Sequence, residues 1–128
     1  MVAWTDYRRD AKARGALALE LYAAISTPAD GPEDVKANLP DHLAYQAGLE
    51  RDGKLAFAGP MSDETGEEMQ GTGLIVYRAK DLDEARMLAG NDPMHRSGAR
   101  RFVLRRWMIN EGCLNLTVGL STKSIELS

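Results

Sequence analysis

Between residues 17 and 110 the chain switches between two kinds of spacing, and the order of the switches limits the fold more than any single motif does. Leu17, Leu19, Leu21, Ala23 and Ile25 repeat at every second residue, the period of a half-buried strand. The turn formers of STPADGP, residues 26–32, close it. From about Pro32 to Asp52 the period lengthens: Val35, Leu39 and Leu43 stand four apart, one stripe of a helix, and Gly53 supplies its stop. Pro40 falls inside that stripe. A mid-helix proline loses a hydrogen bond and clashes with the preceding turn, so a kink or restart is expected near Leu39, with Asp41 as a candidate cap.

Strand spacing then returns. KLAFAGPM reads as a short strand ended by Gly59 and Pro60, and the acidic stretch SDETGEEMQG leads to TGLIVYRA, which should pair with it antiparallel. Asp81 followed by Glu84 is a capping box of the aspartate kind, and Leu82, Ala85, Leu88 and Ala89 share one helical face. After Gly90 the connection NDPMHRSG enters RFVLRRWMIN, the last strand of the series; CLNLTVGL and SIEL follow as a hairpin. Ahead of it all, Thr5 or Asp6 can cap a short helix through Arg14.

The order β-α-β-β-α-β predicts an α+β, ferredoxin-like sandwich of one sheet with two helices on one face, carrying an N-terminal helix and a C-terminal hairpin extension. At 128 residues one domain is expected: a helical arm over 1–15, the core over 16–110 and a β extension over 111–128. Helices cover only one face of such a sheet. Burial of the other against a second copy favours a homodimer, and with it a dimeric α+β barrel.

A net charge of −3, with no run of Lys and Arg interleaved with aromatics, gives no field for a polyanion, so nucleic acid is not an expected partner. No apolar stretch approaches the length of a membrane span or follows the N-terminal charges as in a signal peptide; a cytoplasmic location is the expectation. Cys113 is the single cysteine and is read as a buried small hydrophobe, not a nucleophile. With only His42 and His95 beside it, a zinc site is not supported, and no glycine-rich phosphate loop is present; neither metal nor cofactor is expected.

Two residues stand out, His42 in the first helix of the sheet unit and Asp92 at the exit of the second. Side-by-side helices bring such positions together although fifty residues separate them. A carboxylate that accepts from one imidazole nitrogen fixes the tautomer and strengthens the other nitrogen as a base. The plain alternative is a helix-surface histidine and a turn aspartate favoured before proline. Arginines 96, 100, 101, 105 and 106 crowd one region, where alternation could turn two or three toward a carboxylate or phenolate; a solvated, subunit-facing cluster is the simpler reading. Asp63, Glu64, Glu67 and Glu68 form either a lid or a solvated loop, and Met61, Met69, Met87, Met94 and Met108 are read as core fillers.

The run HLAYQAGLERDGKLAFAGP, the first glycine of GTG, LDEARMLAGNDPMHRSG and the later Trp107 together resemble the YCII-related (YciI-like) family. Its pattern is a His-bearing helix, a Gly-Lys-Leu turn into a strand ending Gly-Pro, an Ala-rich helix, and Asp-Pro with a glycine several residues on. The resemblance implies a dimeric α+β barrel and a catalytic His and Asp dyad at the positions of His42 and Asp92. It also implies a substrate pocket lined or shaped by Tyr45, Gly59, Pro60, Pro93, Ser97 and Gly98, to which His95 is added as a loop candidate. The family includes a dehydrochlorinase of chlorinated hydroxyquinol breakdown and is similar in fold to muconolactone isomerases. The expectation is therefore a cofactor-independent lyase or isomerase acting on a small hydroxylated aromatic, lactone or carboxylate. The alternative is a small-molecule binding or accessory protein with the same pocket.

Overall fold

The structure is a computed structural model and describes residues 1–29 and 31–128. In chain order its elements are α1 (Trp4–Ala13), β1 (Leu19–Pro28), α2 (Pro32–Arg51), β2 (Leu55–Pro60), β3 (Gly73–Tyr77), α3 (Leu82–Gly90), α4 (Pro93–Arg96), β4 (Arg100–Ile109), β5 (Leu116–Val118) and β6 (Ile125–Leu127). One sheet has the order β2-β3-β1-β4; β5 and β6 form a separate antiparallel ladder. Both β1 and β2 pair antiparallel with β3. Leu17 N–H bonds Asn110 O and Ala29 N–H bonds Ala99 O, each at 3.0 Å, so β1 and β4 also run in opposite directions. This is the ferredoxin-like α+β arrangement expected from the order of spacings. Among the described residues no helix is long and apolar enough to cross a membrane.

The chain divides into two compact units, residues 20–107 and residues 1–19 with 108–128. In the larger unit Tyr22, Ala24, Leu49, Ile75, Tyr77, Ala85, Leu88 and Ala89 form the core, with Tyr45, Leu55, Ala79, Leu82, Phe102 and Leu104 packed on it. Burial of each large side chain there contributes about 1.5–3 kcal/mol. The face of β1 that enters this core is a correction to the alternation. Tyr22 and Ala24 pair with Tyr77 and Ile75 on the covered side, followed by Ser26 opposite Gly73, while on the other Leu21 is buried and Leu19 and Ile25 are exposed. A tyrosine and two small residues suit the covered side because helices pack close against it. β1 also runs on through Ser26 to Pro28, beyond the expected turn; Asp30, in that turn run, lies outside the described residues.

α2 does not restart at Pro40. It continues from Pro32 to Arg51, and the carbonyl of Lys36, which loses its amide partner to the proline, belongs to an exposed residue, so the lost bond costs little. Asp41 is consequently an exposed mid-helix residue, not a cap. α3 begins as expected, with Asp81 accepting from Glu84 N at 2.8 Å. α4 was read as connection; Asp92 caps it and Pro93 occupies its first turn, a helix start in four residues.

In the smaller unit α1 has Ala3 at its cap, with no side-chain bond, in place of Thr5 or Asp6. Ala11, Ala18 and Met108 are buried together, with Trp4 and Ala16 against them. Cys113 is exposed, against expectation: the strand begins only at Leu116, three residues after it. Of the methionines read as core, Met94 and Met108 are buried, whereas Met61, Met69 and Met87 are exposed.

Candidate functional site

His42 and Asp92 meet. The imidazole Nδ1 lies 2.8 Å from both carboxylate oxygens of Asp92, and the two side chains are only 15% and 1% exposed. A carboxylate in this place only accepts, so Nδ1 carries the hydrogen and the lone pair is left on Nε2. That nitrogen accepts from the Gln46 side-chain amide at 2.7 Å, one helical turn further along α2. Asp92 also accepts from Met94 N at 2.9 Å, which caps α4 and fixes the carboxylate against the backbone.

Three groups that feel the Asp92 charge, Tyr77, Tyr45 and His95, are held neutral. Burial, aided by the Asp92 charge, pushes the Tyr77 hydroxyl far above its ordinary ionisation range, and burial raises that of Tyr45 as well. Burial also pulls His95 down, against the pull of its bond to Ala89 and the Asp92 charge. Tyr45 donates to Leu88 O at 2.7 Å; the buried Tyr77 hydroxyl has no hydrogen-bond partner among the described residues. His42 is therefore the side chain to which Asp92 directs its charge through a hydrogen bond.

A cleft of about 430 Å³ opens beside this pair. From α2 it is walled by Val35, Leu39, His42, Leu43 and Gln46, from β2 by Ala58, Gly59 and Pro60, and from the sheet by Ser26, Gly73, Ile75 and Arg100, with Met69, Gly71, Thr72 and Met94 completing it. The stripe at Val35, Leu39 and Leu43 thus lines a cleft and is not packed into the core; Leu43 remains 56% exposed. Of the expected pocket residues, Gly59 and Pro60 line this cleft. Tyr45, Pro93, His95, Ser97 and Gly98 do not. Tyr45 packs on the core, Pro93 starts α4, Ser97 ends it with its hydroxyl turned to Met94 O, and Gly98 makes the left-handed turn into β4 at φ +82°.

His95 sits behind the wall. Its Nδ1 faces the Ala89 carbonyl at 2.8 Å and must carry the hydrogen, so Nε2 accepts from the Ser26 hydroxyl, also at 2.8 Å. Arg100 completes the group: Nε donates to Ser26 Oγ and one terminal nitrogen to Ser26 O, both at 2.8 Å, and to Gly71 O. Gly71, at φ +95°, cannot be replaced cheaply, since a Cβ there would come within 2.6 Å of Pro28. The other arginines part ways. Arg106 pairs with Glu20, Arg101 reaches Ala29 O, and Arg96 and Arg105 are exposed. The acidic loop folds on itself, Asp63 accepting from the Thr65 hydroxyl, which holds its carboxyl below the usual range.

Sequence reasoning missed Ser26 and Gln46, and for Arg100 it preferred a solvated cluster to the inward turn that alternation also allowed. The signals were present: Ser26 is two residues past Ala24, Gln46 four past His42, and Arg100 alternates with Phe102 and Leu104. Among the described residues no group of three or more His, Cys, Asp or Glu side chains is placed to hold a metal ion.

The sequence model of the YCII-related domain matches residues 20–108. No curated protein matches the chain. Five chains of solved structures do. One is a 5-chloro-2-hydroxyhydroquinone dehydrochlorinase from Burkholderia phenoliruptrix in complex with 2,5-dihydroxybenzoquinone, 22% identical, with a TM-score of 0.48 and a match covering 68% of this chain and 92% of that one.

Proposed function

The chain belongs to the family of YCII-related domains, and on that footing we propose that it is a small-molecule enzyme of the lyase or isomerase type, with His42 as general acid and base and Asp92 as its orienting carboxylate. The observation that carries this reading is the 2.8 Å bond from His42 Nδ1 to Asp92 at the wall of an open cleft. His42 Nε2 takes a proton from the substrate, and the imidazolium that forms is paired with the buried carboxylate. The same proton returns to another atom of the substrate in an isomerisation. In an elimination the electron pair of the broken C–H bond forms the double bond and expels the leaving group, as in loss of chloride from a chlorinated hydroxylated ring. Neither course asks for a cofactor. Small hydroxylated aromatics, lactones and carboxylates have the acidic hydrogens such a base can remove, and positioned proton transfer of this kind contributes about 10²–10⁴ in rate.

A second reading is a binding or accessory protein. The Gln46 amide favours it, because at 2.7 Å it occupies the lone pair that a base must use. Proton NMR in deuterated buffer with small lactones, phenols and chlorinated hydroquinols separates the two. Conversion or deuterium uptake by the parent, lost in a folded His42→Ala variant, supports the enzyme; ligands that raise the melting temperature without any conversion support the binding module.

We also propose a homodimer through the sheet face opposite Tyr22 and Ile75, where Ile25, Phe57, Val103 and Trp107 are exposed while Leu21 and Val76 are buried. Sedimentation should give a dimer that Val103→Glu converts to monomer; a monomeric parent ends this proposal.

A further inference from the structure

A guanidinium has five N–H donors, and three of those on Arg100 are used: Nε–H on Ser26 Oγ, and the two of one terminal nitrogen on the carbonyls of Ser26 and Gly71. All three acceptors are neutral. Among the described residues the two donors of the other terminal nitrogen have no acceptor and no carboxylate forms an ion pair with this cation, although it feels the Asp92 charge. The plane of the group is nevertheless fixed, since Ser26 is itself held by His95 Nε2 at 2.8 Å. Arg100, Ser26, Gly71 and His42 all line the same cleft, whose α2 wall is apolar at Val35, Leu39 and Leu43.

We propose that Arg100 binds an oxyanion and that the substrate is a small organic anion, a carboxylate or an ionised phenol, seated with its hydrocarbon body on the apolar wall of α2. The proposal rests on the reading of His42 as the acid and base of the same cleft. A charge-assisted bond of this kind is roughly twice as strong as a neutral one, and the preorganised fork loses little entropy in making it. The position also serves the reaction. Removing a proton near a carboxylate or phenolate builds further negative charge on the substrate, which a fixed cation offsets without reorganisation.

Calorimetric titration with sodium benzoate and with 4-nitrophenolate, each against the neutral counterparts benzamide and nitrobenzene, tests this and tells carboxylate from phenolate. The parent should bind at least one anion clearly more tightly than its neutral counterpart, and Arg100→Gln should weaken that anion about tenfold to a hundredfold. Neither anion binding, a neutral compound binding equally well, or unchanged affinity in a folded Arg100→Gln variant overturns the proposal. Should that variant not fold, the ¹⁵N resonance of Arg100 Nε in the parent replaces it: it moves on benzoate or nitrophenolate addition, and an unmoved resonance overturns the proposal. If a folded His42→Ala variant keeps full turnover, the acid and base reading fails while anion binding by Arg100 stands.

Discussion

His42 and His95 both lie near Asp92, and their hydrogen bonds separate them. His42 gives its Nδ1 hydrogen to a buried carboxylate, so a proton arriving at Nε2 completes an ion pair. His95 gives its Nδ1 hydrogen to a neutral carbonyl, and its Nε2 is tied to a hydroxyl that already accepts from Arg100. A proton arriving there would turn the Ser26 hydroxyl from donor to acceptor and set a second cation beside Arg100. In the proposed reading the same side chain serves once to exchange a proton and once to stay neutral, and the nature of the Nδ1 acceptor makes the difference.

The largest expected effect tests the first arrangement. On any substrate that the parent converts, His42→Ala and Asp92→Asn should each lower kcat by about 10²–10⁴, the span of positioned acid and base catalysis. Full turnover in either folded variant would remove the dyad. His95→Ala is the control: kcat should stay within about tenfold, while stability falls by about 1–3 kcal/mol because the Ser26 hydroxyl and Ala89 carbonyl lose their partner. Chemical denaturation read beside steady-state kinetics checks both halves. A His95→Ala loss as deep as that of His42→Ala would collapse the distinction.

A smaller effect is a slope with pH. Burial holds the His95 pKa below its ordinary 6.5, so in the acid range the unfolded chain binds this proton more readily than the folded one. The stability tied to neutral His95 is complete above about pH 6.5 and is lost as the pH falls below that value toward the lower folded pKa. Unfolding free energies from pH 7.5 down to 5 should decline in the parent and decline less steeply in His95→Ala. Equal slopes would mean that His95 takes up its proton in the folded chain as easily as in the unfolded one.

How far the sequence reveals this contrast depends on the residue. The order of strands and helices follows from local spacing, which is why the sheet and its two flanking helices were legible, and the meeting of His42 with Asp92 followed from that topology together with the family pattern. Which face of β1 is covered was not legible. Ile25 and Leu19 look more apolar than Ser26 and Ala24, yet the covered side needs small residues beneath close-packed helices. The same ambiguity hid the cleft, because Val35, Leu39 and Leu43 carry the spacing of a core stripe whether they meet a core or a ligand. Pro40 and Asp41 misled for another reason: a freed carbonyl on a solvated surface costs little, and spacing alone does not say which side of a helix is wet. Asp92 before Pro93 reads equally as a turn or a helix cap, and only α4 decides it.

The finest test concerns what stands between His42 and a ligand. Gln46 donates to the nitrogen that the proposed chemistry uses, so a substrate must first displace that amide, at the cost of a net hydrogen bond of about 0.5–1.5 kcal/mol. On His95 the corresponding nitrogen is held instead by a buried serine, itself fixed from the other side by Arg100. Gln46→Ala should therefore lower KM by about two- to tenfold and leave kcat within about threefold, since the obstacle is removed from the ground state while the Asp92 bond keeps the tautomer. A fall in kcat at constant KM would give the amide a different role: it would then act in the transition state, turning its carbonyl oxygen to the protonated Nε2. Either outcome sharpens the contrast between the two histidines, because only the one with a carboxylate behind it gains from having its second nitrogen set free.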